Sequence, residues 1–227
     1  MTATTVYEVM TSEVVSVRDD APFQDIAEAL GSHRISAVPV VDADDRVIGV
    51  VSQTDLLYKL QFAGDSPLRR ITHRTAARKA AGRTAHDVMT HPAVTVPAHT
   101  PVVTAAKMMQ ATKVKRLPVV DEVGHLIGIV SQGDLLSVFL RSDREIFDEV
   151  VKEVLVRQMW IQPTDVSVTV EHGVVELVGQ VERKSAADLT LHLVRGVDGV
   201  VDVVDKLTYR TDDTKTVPTA EYYGGPA

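Results

Sequence analysis

Two octapeptides, VVSQTDLL from Val50 to Leu57 and IVSQGDLL from Ile129 to Leu136, each hold a serine and an aspartate three residues apart behind an apolar run. That spacing serves two chemistries. In a capping box the serine oxygen accepts the amide at N3, and the acidic N3 side chain reaches back to the serine amide at the positive end of the helix dipole. In a ligand site the same helix start attracts phosphate, the hydroxyl donates to it, and the carboxylate accepts two ribose hydroxyls. Both chemistries stay open at this point, and the cap needs no ligand. Neither requires a particular side chain between the two residues, so the exchange of Thr54 for Gly133 is permitted by both.

A charge difference lies upstream. The first copy carries Ser36-Ala37 before Val38-Pro39, whereas the second carries Lys115-Arg116 before Leu117-Pro118, with Lys113 close by. An arginine fork suits a phosphate in a way that serine and alanine do not. The bland alternative for the cations is a solvated strand entry.

The elements that must position these residues are themselves repeated. Pro39 and Pro118 stand 79 residues apart (118 − 39), and the same offset links Met10 to Met89, Pro22 to Pro101, Gly49 to Gly128 and Asp55 to Asp134, without a gap from Val9 to Leu57. Phe23, Ile26, Ala27 and Leu30, and their counterparts Val102, Ala105, Ala106 and Met109, follow the i, i+3, i+4, i+7 spacing of a helix that buries one face. Pro22 and Pro101 are placed as first-turn residues of these helices. Each unit is expected to run strand (Val14–Val17; Ala93–Val96), helix, strand (Val38–Val41; Leu117–Val120), polar turn, strand (Val47–Val51; Leu126–Val130), helix. Units of about 50 residues bury too little surface alone, so the two should pack on each other.

The run VM-T, then Val15-Ser16-Val17, then VPVVD or LPVVD, then IGVVSQTDLL or IGIVSQGDLL resembles the tandem CBS domain, or Bateman module, over roughly residues 6–141. The resemblance implies an α/β fold of two repeats packed with pseudo-symmetry, an adenosine-containing ligand between them, no tightly bound cofactor, and a homodimer. It assigns ribose and phosphate contacts to Gly49, Ser52 and Asp55 and to Gly128, Ser131 and Asp134. Flanking ligand contacts fall on Ser16, Val17, Val38 and Pro39 in one repeat and on Thr95, Val96, Lys115, Arg116, Leu117 and Pro118 in the other. Arg116 is expected to serve the more phosphate-hungry of two unequal sites. The repeats are bounded as 6–61 and 85–141.

Between them, residues 62–84 form a basic linker in which Arg69, Arg70, Arg74, Arg78, Lys79 and Arg83 face the single acid Asp65. A solvated connector is the plain reading, and recruitment of an anionic partner the functional one. After Leu140 the pattern changes: an apolar stripe of Ile146, Phe147, Val150, Val151, Val154 and Leu155, an alternating strand through Val166, Val168 and Val170, a turn at His172-Gly173, a strand Val174–Val178, a helix near Arg183–Arg195, and a strand Val200–Thr208. This α-β-β-α-β order with GVVELVGQV and VRGVDGVVDVVDKL is similar to the BON domain, bounded here as 143–209 and credited with phospholipid or partner binding. Seven Lys or Arg stand against thirteen Asp or Glu over that span (7 − 13 = −6), which opposes acidic headgroups and favours a protein or apolar partner. Residues 210–227 are expected to be a disordered tail.

The formal charge of −7 argues against general nucleic-acid binding. Zero cysteines exclude thiolate chemistry, and no run of about 18 apolar residues occurs, so the expectation is a cytoplasmic protein without an integral membrane span. No two of the eight histidines stand at i, i+4 as a ligand pair with a neighbouring carboxylate, and no nucleophile triad or glycine-rich phosphate loop is present, so no enzyme is expected. The leading function is a nucleotide-responsive regulatory dimer that changes what the C-terminal module presents. The rival is a ligand-independent dimeric scaffold displaying that module to a protein or lipid partner.

Overall fold

A computed structural model describes residues 4–62 and 74–214, with Arg74 by its backbone only. The expected linker therefore lies outside the described residues at 63–73, and the expected tail at 215–227. The chain divides into two compact units, Thr4–Leu136 and a C-terminal unit from Ser137.

In the first unit the elements run α1 (Val6–Val9), β1 (Val17–Arg18), α2 (Phe23–Ser32), β2 (Ala37–Val41), β3 (Val47–Ser52), α3 (Gln53–Gln61), α4 (Arg74–Ala81), α5 (Ala85–Val88), β4 (Val96–Pro97), α6 (Val102–Thr112), β5 (Arg116–Val120), β6 (Leu126–Ser131) and α7 (Gln132–Leu136). They make two three-stranded sheets, ordered β1-β2-β3 and β4-β5-β6, with the first pair of each parallel and the second antiparallel. The offset of 79 survives as register: Ala37 lies opposite Ser52 as Arg116 lies opposite Ser131, and the sheets share an irregularity at Val40/Val41 and Val119/Val120.

Several local expectations are corrected. Only Val17–Arg18 and Val96–Pro97 enter the sheets, because they meet just the last two residues of β2 and β5; Val14 and Val15 stay half-buried outside the ladder. Pro22 and Pro101 stand at the N-cap with extended backbone, so the helices start one residue later than expected. Ala27 and Ala106 are exposed, leaving the buried stripe to Ile26 and Leu30, and to Val102, Ala105 and Met109.

The repeats also exchange their opening segments. Val6 donates to the Thr100 carbonyl at 2.8 Å and Ala85 to that of Ala21 at 2.9 Å; Thr11 bridges Ile129 and Thr90 bridges Val50. Each contact maps on its mate by the same offset, as a pseudo-twofold requires. Ala85, Val88 and Met89 of the second repeat thus complete the core formed by Ile26, Leu30, Val38, Val40 and Val51 of the first. Each fully buried aliphatic side chain stabilises by about 1.5–3 kcal/mol, so neither repeat keeps its full core without the other.

The C-terminal unit runs a 3₁₀ turn (Ser137–Leu140), α8 (Asp143–Glu149) continued by a π-helical stretch (Val150–Gln158), β7 (Val166–Glu171), β8 (Val174–Arg183), α9 (Lys184–Arg195) and β9 (Asp202–Thr211). Its sheet is ordered β7-β8-β9, with β7 and β8 antiparallel and β8 and β9 parallel. Ile146, Val150, Val154 and Leu155 face Val175, Leu177, Leu191 and Val194 in one core. His172 and Gly173 both have positive φ, 51° and 76°, which is the two-residue turn whose twist matches antiparallel strands. Strand β9 continues to Thr211, so the first two residues of the expected tail belong to the sheet.

Candidate functional site

Both serine–aspartate pairs start helices, and both form caps. In the first, Asp55 Oδ2 accepts the Ser52 amide at 2.8 Å and its hydroxyl at 2.7 Å. In the second, Asp134 Oδ2 accepts the Ser131 amide and hydroxyl, each at 2.7 Å, and the Asp134 amide donates to Ser131 Oγ at 3.3 Å. Thr5 with Glu8 and Thr84 with Asp87 form the same box at α1 and α5. Capping is therefore a device used throughout the chain, and a serine–aspartate pair needs additional neighbours before it becomes a ligand site.

The neighbours differ between the copies. Asp55 is buried, and its Oδ1 accepts Lys79 Nζ of α4 at 2.5 Å; the same ammonium donates to Thr90 Oγ1 at 2.9 Å. Lys59 ties the end of α4 to α3 by donating to the Gly82 carbonyl at 2.7 Å. Asp134 is half-buried, and beside it Arg116 stands opposite Ser131 in the β5–β6 ladder. Arg116 Nε donates to Ser36 Oγ at 3.0 Å, so the two residues that distinguish the repeats in sequence meet across them. Among the described residues this is the one hydrogen bond Arg116 makes, and both Nη groups of its fork remain for an anion. Its pseudo-symmetric mate would join Lys115 to Ala37, which has no side-chain acceptor.

The remaining candidate positions sort by depth. Val38, Val96 and Leu117 are fully buried and Pro39 and Pro118 are buried, so without rearrangement they offer a ligand backbone rather than side chain. Ser16 and Lys115 are exposed, and Val17 and Thr95 half-buried. The register puts Val17 at Val40, three residues or about 10 Å along β2 from Ala37 and hence from the Ser52 end. Gly49 and Gly128 are explained by packing: a Cβ at Gly49 would collide with Met89 Sδ and one at Gly128 with Met10 Sδ, each methionine belonging to the exchanged segment of the other repeat. One shallow hollow of about 370 Å³ lies by the linker, lined by Arg78, Ala81, Gly82, Arg83, His86 and Asp87, none of them a candidate ligand residue.

Lys79 and Thr90 are neighbours of the Asp55 helix start that the sequence does not single out. Lys79 was visible only as one cation among six in a basic stretch, with nothing in its surroundings to set it apart from solvated ones. Among the described residues no cluster of three potential metal ligands occurs, and no helix is long and apolar enough to cross a membrane.

Paired sheet-and-helix repeats with a swapped opening segment, and a serine–aspartate cap at the helix that follows each antiparallel strand pair, define a tandem repeat module. The chain belongs to the CBS-domain family: residues 6–61 and 85–141 match the CBS domain, and residues 143–211 match the BON domain. It is 31% identical over 136 residues to a CBS domain-containing protein of Dictyostelium discoideum, covering 60% of this chain and 91% of that one. A protein of Methanopyrus kandleri is 32% identical over 138 residues, covering 61% of this chain and 64% of its own length. Among solved structures, CBSX2 of Arabidopsis thaliana in complex with AMP is 32% identical with a TM-score of 0.54, over 60% of this chain and 96% of that one.

Proposed function

We propose that the CBS pair is a non-enzymatic regulatory module that binds an adenosine nucleotide between the repeats. The observation that carries this reading is the placement of Arg116 in register with Ser131, beside the Asp134 helix start: a carboxylate for ribose hydroxyls and an unshared guanidinium fork for phosphate on adjacent strands and helix. The likeness to an AMP-bound CBS pair supports the choice of adenosine. The ligand acts by favouring one arrangement of a homodimer and thereby changing what the C-terminal unit presents to a protein partner. Coupling of this kind needs different affinity for the two arrangements, typically about 1–3 kcal/mol. Self-association is supported by Leu57 and Leu60 on α3 and Leu136 on α7, which are 48%, 72% and 61% exposed.

A thermal-shift panel of AMP, ADP, ATP, adenosylmethionine and GMP tests the proposal. A ligand at a hundredfold excess over its Kd adds about 2.7 kcal/mol to the stability of the folded protein. At least one adenosine compound is expected to raise Tm while GMP does less; no shift with any of them at millimolar concentration would sink the nucleotide reading.

A further inference from the structure

We infer that the hollow between α4 and α5 is an anion site that takes a small diphosphate through the guanidinium forks of Arg78 and Arg83. It shares no residue with the candidate nucleotide positions and does not rest on the nucleotide reading. The hollow measures about 370 Å³, within the roughly 300–1,000 Å³ of small-molecule sites. Arg78, Arg83 and His86 line it and are exposed, and among the described residues neither guanidinium makes an ion pair. One fork grips one phosphoryl group through parallel N–H donors, so two forks suit two linked phosphoryl groups. The acid in the lining, Asp87, is turned to the backbone, where its Oδ2 accepts the amides of Arg83 at 2.9 Å and Thr84 at 3.1 Å. The lining keeps a net charge of +1 before His86 is counted (2 − 1), and Arg69, Arg70 and Arg74 precede it in the chain. That local sign, in a chain of formal charge −7, draws anions to the hollow.

The cations are not needed to build the turn that carries them. The repeat offset maps Arg83 on Thr4 (83 − 79) and His86 on Tyr7 (86 − 79), while Thr84 and Asp87 map on Thr5 and Glu8. Both openings form the same capping box, and both pass the first helical amide to the other repeat, Ala85 to the Ala21 carbonyl and Val6 to that of Thr100. The fold thus makes this turn once with Thr4 and Tyr7 and once with Arg83 and His86, so the charges answer to something other than folding. They also sit on pinned backbone. The Gly82 carbonyl accepts Lys59 Nζ at 2.7 Å, the Arg83 carbonyl accepts the Phe23 amide at 2.8 Å, and the His86 amide donates to the Asp19 carbonyl at 2.8 Å. A Cβ at Gly82 would lie 2.6 Å from Val88 Cγ1 and 2.8 Å from Asp87 Cβ, so the close approach of α4 to α5 that shapes the hollow requires glycine there. A ligand therefore has only side chains left to order.

Isothermal titration of the full chain with inorganic pyrophosphate at about 150 mM salt, paired with amide chemical shifts, tests the site. Pyrophosphate is expected to bind at least tenfold more tightly than sulfate and to move the amides of Ala81, Gly82, Arg83 and His86. Arg78→Ala with Arg83→Ala weakens it about ten- to hundredfold, the loss of charge-assisted contacts, with Tm unchanged because both side chains are exposed. Arg116→Ala leaves it unaltered. Pyrophosphate no tighter than sulfate would mean a diffuse charged surface and overturn the inference. So would unchanged affinity in the double variant, shifts confined to the surroundings of Arg116, or no binding at millimolar concentration. Should the double variant not melt cooperatively, Arg78→Lys with Arg83→Lys, which keeps the charges and loses the forks, decides in its place: a loss of about tenfold supports the site and unchanged affinity overturns it. Each of these results leaves AMP binding in the cleft to stand or fall by its own titration.

Discussion

Replacing Lys79 by methionine keeps the length of the side chain and removes its charge, which isolates the ion pair with Asp55. An exposed pair would contribute at most about 1 kcal/mol. This one is sealed on both sides, and deleting one partner of a buried pair costs about 3–5 kcal/mol, because the other charge is left uncompensated. Asp55 retains two hydrogen bonds from Ser52, which places the expected loss at the low end, about 3 kcal/mol. For a unit the size of Thr4–Leu136, each kcal/mol moves Tm by roughly 3–4 °C, so the first unit should melt about 10 °C lower by calorimetry. The double variant Lys79→Met with Asp55→Leu removes both charges and should recover all but about 1 kcal/mol, the remainder being the lost cap. A loss below about 1 kcal/mol for Lys79→Met alone would show a solvated pair and an undocked α4, and would refute the argument.

Gly49→Ala should destabilise by about 1–3 kcal/mol through overpacking, since the added Cβ would lie 2.9 Å from Cγ and 3.1 Å from Cβ of buried Met89; Met89→Ala in the same chain should relieve the clash, and urea midpoints check both. In the C-terminal unit, the amides of Gly173 and then His172 hold the Asp143 carboxyl below its ordinary range, and the Ser142 hydroxyl and then its amide do the same for Glu145. Because these folded-state values are depressed, their stabilisation is complete above the unfolded value near about 4 and is lost as pH falls through the folded ones. Urea titrations followed on β7 and β8 amide resonances should therefore be flat from about pH 7 to 5 and decline below about 4, and Asp143→Asn should blunt the decline; a rise on acidification would contradict the assignment. Arg116→Ala should weaken AMP ten- to hundredfold by dialysis, the loss of a charge-assisted contact, with Tm nearly unchanged because its bond to Ser36 is exposed.

Much of this architecture was legible because it is written locally and written twice. The apolar runs of β2, β3, β5 and β6, and the turns between them, recur at one offset, and an offset needs no knowledge of the fold to be seen. The helix–strand order of the C-terminal unit was equally readable from periodicity and from His172-Gly173. What escaped was long-range. Gly49 and Gly128 were assigned to a ligand, yet the side chains they admit, Met89 and Met10, come from segments that cross between repeats, and no local pattern announces a crossing. Lys79 pairs with an aspartate 24 residues away, and nothing in RTAARKAA separates that lysine from Arg78 beside it. The charge contrast between Ser36-Ala37 and Lys115-Arg116 was visible in sequence, but not the bond that joins Ser36 to Arg116. The serine–aspartate spacing was ambiguous because one geometry satisfies both a cap and a ribose, and the cap is formed in both copies.

The central claim is that an adenosine nucleotide binds at the second half of the pair. A crystal structure of the full chain grown with excess AMP tests it most directly. The account predicts ribose hydroxyls on the Asp134 carboxylate, phosphate at the Arg116 fork, and Lys79 still on Asp55. AMP seated on Asp55 with Lys79 displaced, or a cleft that excludes AMP altogether, would contradict it.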